Sequence, residues 1–325
     1  MDKEIDLSRF NIRTDLAIDC VDKNTKLKGV KCRQNTISGL IVTSVDLDNE
    51  NDLNKKKGKY ITIEFDDVTD HNNELKVTKV LTSVLRKLIK SNHNTLGLIV
   101  GLGNNNSTPD SLGPLTVDNI IVTNHIYNLG CLSKNYSRIC AIKPSVLGET
   151  GIETGDIIES IVKKIKPDYL IAIDSLASSS IERLNKTIQI TDTGIHPGSG
   201  IGNERKEISK DTLGIPVYAI GIPTVASASV IVKDTINFIY KNYEINKESM
   251  NKTNLISDKD RRELLGYIGT LEDEELNLLI NEVLNPIGYN FMVTPKEVDF
   301  IIKKMSNIVS NSINNSVHKI DKSIQ

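Results

Sequence analysis

Thr95-Leu-Gly-Leu-Ile-Val-Gly-Leu-Gly-Asn104 decides the fold. It is a continuous apolar run of strand length that ends in a Gly-rich turn. Such a run suits a strand covered on both faces by helices, as in a parallel sheet, whereas a half-exposed strand alternates apolar and polar residues. Just before it, residues 74–91 place apolar side chains at three- and four-residue spacing, which predicts a helix. The same alternation returns downstream. A helix over about 154–166 leads into Pro167-Asp-Tyr-Leu-Ile-Ala-Ile-Asp174, a second buried strand. Thr187–Asp192 reads as a short strand, and Ile215-Pro-Val-Tyr-Ala-Ile-Gly-Ile222 as another, followed by a helix over about 225–241; Leu115–Leu129 can begin as a helix. The pattern predicts an α/β core from about 74 to 245, a doubly wound and mostly parallel sheet with flanking helices.

Outward from this core, residues 38–45 and 59–65 alternate and are β-branched, so they predict two strands of an added small β region. The loop between them carries Lys55-Lys-Lys57, read as a solvated run. Residues 242–257 are polar and rich in Asn and Lys, a candidate linker. Residues 258–284 and 295–318 read as helices parted by Asn285-Pro286-Ile-Gly288-Tyr, forming a helical C-terminal tail.

The 325 residues carry 40 basic and 42 acidic side chains and no tryptophan. The near-zero charge argues against a protein that coats nucleic acid, and the shortage of aromatics argues against stacking platforms. No apolar run approaches the ~20 residues that span a bilayer, and Met1-Asp-Lys-Glu-Ile-Asp6 lacks the apolar stretch of a signal peptide. A cytoplasmic location is expected. Cys20, Cys32, Cys131 and Cys140 form no CxxC pair and are read as reduced thiols.

In parallel α/β sheets chemistry collects outside the carboxyl ends of the strands. Three polar segments are expected there: Gly101–Pro114 with Asn104 and Asp110, Asp174–Ser180, and Thr191–Asn203 with Asp192 and His196. Asp110 and Asp174 each follow a buried strand. Two carboxylates brought close cannot both ionise, so one activates water while the other protonates a leaving group. Other chemistries compete. Gly101-Leu-Gly103 opens like a dinucleotide fingerprint but lacks its third glycine. Ser199 misses the Gly-x-Ser-x-Gly elbow. Asp110, Asp174 and His196 form a conceivable set of metal ligands. Asp192-Thr-Gly194 matches the active tripeptide of all-β aspartic proteases, a different fold context.

Taken together, Arg13-Thr-Asp-Leu-Ala17, Gly101-Leu-Gly-Asn104, Thr108-Pro-Asp-Ser-Leu-Gly-Pro114, Ile173-Asp-Ser-Leu-Ala177 and Thr191–Asn203 resemble the germination proteases of endospore-forming bacteria. The resemblance implies a fold like that of hydrogenase-maturation proteases and an endopeptidase that degrades small acid-soluble spore proteins in the forespore and spore core. It also implies a zymogen assembled as a homotetramer. Asp110 and Asp174 match the family's two catalytic aspartates; Asp192, His196 and Asn104 are assigned supporting roles. The family cuts after an acidic residue and before an apolar one followed by a small one, and Thr14-Asp15-Leu16-Ala17 has that form. Residues 1–15 are then a pro-segment removed between Asp15 and Leu16, residues 16–245 the catalytic core with a β-rich insertion near 38–65, and residues 246–325 a helical region packed on the core. No cofactor, no metal, no direct nucleic-acid partner and no membrane are expected.

Overall fold

The computed structural model describes residues 16–18, 27–53, 55–198, 205–236, 238–239, 266, 273–284 and 291–319. Leu96–Gly101 forms a strand whose six residues are all buried. It pairs in parallel with Arg138–Ile142 on one side and Tyr169–Ser178 on the other. In chain order the strands are β1 Val30–Ile37, β2 Leu40–Leu47, β3 Gly58–Glu64, β4 Leu96–Gly101, β5 Arg138–Ile142, β6 Tyr169–Ser178, β7 Thr187–Thr191, β8 Val217–Ser227 and β9 Met292–Val293. They make one nine-stranded sheet ordered β1-β2-β3-β7-β8-β6-β4-β5, with β9 added to β8.

Helices cover both faces. Ile99, Ile171 and Ile173 share a core with Val77, Leu81 and Leu85 of α1 (His71–Leu88) and with Met305, Ile308 and Ile313 of the C-terminal helix Val298–Val317. Their neighbours Leu98, Val100, Leu170 and Ala172 point the other way, to Ile158 and Val162 of the helix Thr154–Ile165. The apolar runs of β4 and β6 are thus explained by burial on two sides. Asp70 caps α1 by accepting the N–H of Asn72, and Arg86 and Lys87 sit in its last turn, where cations suit the helix dipole.

The α/β architecture, the added β region and a helical C-terminal segment are all present. The sheet is mixed where a mostly parallel one was expected. β8, β6, β4 and β5 run parallel; β1, β2, β3 and β7 join them antiparallel, edge to edge. The β region is therefore a continuation of the core sheet. β1 is unexpected, because its residues are almost all exposed and show no apolar face. Its turn is the overlooked signal: Ser38 (φ 53°) and Gly39 (φ 82°) both adopt the left-handed backbone that a two-residue hairpin requires. The tail appears as helices Asp273–Leu284 and Val298–Val317, while residues 1–15 and the linker at 242–257 lie outside the described residues. Among the described residues no helix is long and apolar enough to cross a membrane.

Candidate active site

After β4 the chain moves to β5; after β6 it moves the opposite way, past the place of β8 to β7 and then back to β8. The crevice between the carboxyl ends of β4 and β6 is the switch point at which α/β sheets gather their ligands. Leu102 closes it by donating its N–H to Ile173 O at 2.8 Å, the last bond between the two strands. Asp174 is the next residue. It lies within β6, not beyond it, because β8 keeps pairing with β6 as far as Ser178 after β4 has left. Asp174 is 6 % exposed, and its Oδ1 accepts the N–H of Ser175 at 2.9 Å.

Asp110 reaches the same crevice from β4. It ends the 3₁₀ turn Thr108–Asp110, and Thr224 of β8 holds that turn by donating its hydroxyl to Pro109 O at 2.7 Å. Since β6 lies between β4 and β8, the turn carrying Asp110 crosses the strand carrying Asp174. Two glycines permit this close fold. A Cβ on Gly103, at φ 105°, would lie 2.1 Å from Asp110 O. A Cβ on Gly113, in α2 (Leu112–Asp118), would lie 2.2 Å from Leu102 O and 2.6 Å from Ile173 O. Gly101 also packs on the Gly113 carbonyl. The Gly101-Leu-Gly103 segment thus serves a backbone packed against itself.

Asp110 is half-buried, and its Oδ2 accepts the main-chain N–H of Asn104 at 2.8 Å. Burial pushes its carboxyl up to about 6, against the opposing pull of that N–H. Such a group holds a proton at mildly acidic pH and can give it away, as a general acid must. Asn104 is therefore brought to Asp110, through its backbone.

Asp192 and His196 are placed elsewhere. β7 runs antiparallel to β8, with Thr191 opposite Ala219, which is itself opposite Ala172. Asp192 thus stands about three residues, or ~10 Å, toward the amino end of β6 from Asp174, and two strands across. Its Oδ1 accepts the N–H of Lys59 at 2.8 Å, stitching β7 to the start of β3. His196 Nε2 lies 3.6 Å from Glu207 Oε1. Among the described residues, no three His, Cys, Asp or Glu side chains gather as a ligand set. The expected rim over 192–203 is described only as far as Gly198.

Asp15 lies outside the described residues, but Leu16 and Ala17 are both 0 % exposed. The N–H of Ala17 donates to Gln189 Oε1 at 2.7 Å. Gln189 escaped the sequence reading, since within Thr187-Ile-Gln-Ile-Thr191 it looks like one polar residue in a strand. Its only sequence signal is that an amide buried on both sides of a sheet requires a partner.

A mixed α/β sheet with two aspartates at its switch point, one of them held partly protonated by burial, defines an α/β protein equipped for acid–base chemistry. The profile of the germination protease family matches residues 11–324. The germination protease of Geobacillus sp. (strain WCH70) is 43 % identical, covering 98 % of this chain and 97 % of its own. That of Bacillus thuringiensis subsp. konkukian (strain 97-27) is 42 % identical over 98 % and 96 %. The chain belongs to the germination protease family. Among solved structures, the [NiFe] hydrogenase maturation protease HycI of Thermococcus kodakarensis KOD1 shows a slight likeness, with a TM-score of 0.28 and 18 % identity over 43 % of this chain and 80 % of that one.

Proposed function

We propose that this peptidase is a self-activating endopeptidase of the atypical aspartic type that begins the breakdown of small acid-soluble spore proteins, in the cytoplasm of the forespore and spore core, as a homotetramer. It cuts after an acidic residue and before an apolar one. The observation that supports this reading best is the crossing of the Asp110 turn over the Asp174 strand, with Asp110 pushed up to about 6 by burial. Ionised Asp174 takes a proton from water, whose oxygen attacks the scissile carbonyl. Protonated Asp110 gives its proton to the leaving nitrogen, so one water is consumed and one peptide bond broken. The same step acting on the chain's own Asp15–Leu16 bond would release residues 1–15 and begin the mature chain at Leu16. Asp110→Asn and Asp174→Asn test the pair: each abolishes cleavage of a spore-protein substrate while the circular dichroism spectrum stays that of the wild type. Full activity in either variant rules the pair out.

A further inference from the structure

One row of residues crosses the sheet in register: Thr43 on β2, Thr62 on β3, Gln189 on β7, Gly221 on β8 and Asp174 on β6. Residues paired across neighbouring strands share a face, so Gln189 and Asp174 point to the same side of the sheet. They are two strand spacings, about 10 Å, apart. Between them Gly221 presents no side chain, and Leu176 lies over it: a Cβ there would be 2.3 Å from Leu176 Cδ1.

On this face sits Ala17, with the buried Leu16 just before it in the chain. Ala17 packs in a cluster with Val45, Leu47 and Tyr60. Its methyl group is wholly enclosed, so the place accepts a small side chain and no larger one. Its N–H finds Gln189 Oε1, and a buried N–H left without an acceptor would cost about 1–3 kcal/mol. A peptide laid here is thus held by its backbone at Gln189, on the face of the sheet that also carries Asp174.

We propose that this seat is the enzyme's subsite for the two residues on the carboxyl side of a cut bond, occupied here by its own Leu16 and Ala17. Gln189 Oε1 takes the main-chain N–H of the second residue, and the Val45, Leu47 and Tyr60 enclosure requires that residue to be small. The proposal rests on Asp110 and Asp174 being the cutting pair. Hydrolysis adds OH to the Asp15 carbonyl and hydrogen to the Leu16 nitrogen, which becomes an ammonium group. For a substrate to be cut, this new terminus leaves the seat and a substrate's apolar–small pair enters.

The test uses the full-length chain after self-processing and a peptide containing Thr-Asp-Leu-Ala, cut between Asp and Leu, with and without an N-methyl group on the Ala amide. N-methylation is expected to lower the wild-type kcat/KM about three- to tenfold, the value of one hydrogen bond. In Gln189→Ala the same methyl group should cost nothing further. If Gln189→Ala does not fold, Gln189→Glu carries the comparison: its carboxylate accepts more strongly and enlarges the penalty. An N-methyl penalty equal to the wild type's in whichever variant folds overturns the assignment of Gln189. If the wild type leaves the parent peptide uncut, the proposed cleavage specificity fails and the seat fails with it.

Discussion

The main-chain N–H of Asn104 donates to both the carboxylate and the carbonyl oxygen of Asp110, at 2.8 and 3.1 Å. The carboxylate bond favours the ionised form, yet burial outweighs it and Asp110 stays at about 6, above the ordinary 3.8. Between those values the folded chain keeps a proton that the unfolded chain gives up, so stability falls as pH rises through this window. Asparagine keeps the acceptor and cannot ionise. Asp110→Asn should therefore be more stable than the wild type by about 1–3 kcal/mol above about pH 6, with the gain gone below about pH 4. Urea unfolding at the two pH values checks this; a variant less stable at neutral pH contradicts it.

The same proton sets the working range. If protonated Asp110 supplies the leaving nitrogen, kcat/KM should fall about tenfold per pH unit above about 6. A profile that stays flat up to about pH 8 would assign the acid role to another group.

Gly113 tests the scaffold that joins the two aspartates. The Cβ of Gly113→Ala would sit 2.2 Å from Leu102 O and 2.6 Å from Ile173 O, both main-chain atoms. α2 must then lift from the crevice, at a cost of about 1–3 kcal/mol, and peptide cleavage should drop with it. Thermal unfolding and a peptide assay on one preparation show whether both fall together.

Asp192 gives the contrasting case. Removing its carboxylate leaves the Lys59 N–H without its acceptor. Asp192→Ala should lose about 1 kcal/mol of stability and keep its kcat, because Asp192 stands two strands across from Asp174 and about three residues toward the amino end of β6. A large fall in kcat would return it to the catalytic group.

The strengths and failures of the sequence reading have one physical cause. An apolar run such as Leu96–Gly101 reports its own burial, so β4, β6 and the α/β class were legible, and with them Asp110 just after β4; that β6 continues past Asp174 was not, because only its pairing with β8 carries it on. Strand direction is not written in a local pattern. Thr187–Thr191 looks the same parallel or antiparallel, and its antiparallel pairing is what carries Asp192 and His196 away from Asp174. Gln189 is the converse: one polar residue becomes noteworthy only when register sets it across Gly221 from Asp174. β1 stayed hidden because an exposed edge hairpin needs no apolar face.

The central claim is that Asp110 and Asp174 together cut the chain's own Asp15–Leu16 bond. Intact mass and N-terminal sequence after incubation at mildly acidic pH test it most directly, on the wild type, Asp110→Asn and Asp174→Asn side by side. The account predicts a wild-type chain that begins at Leu16 and two variants that still begin at their original terminus. Variants that reach Leu16 as fast as the wild type, or a wild type cut elsewhere, would contradict it.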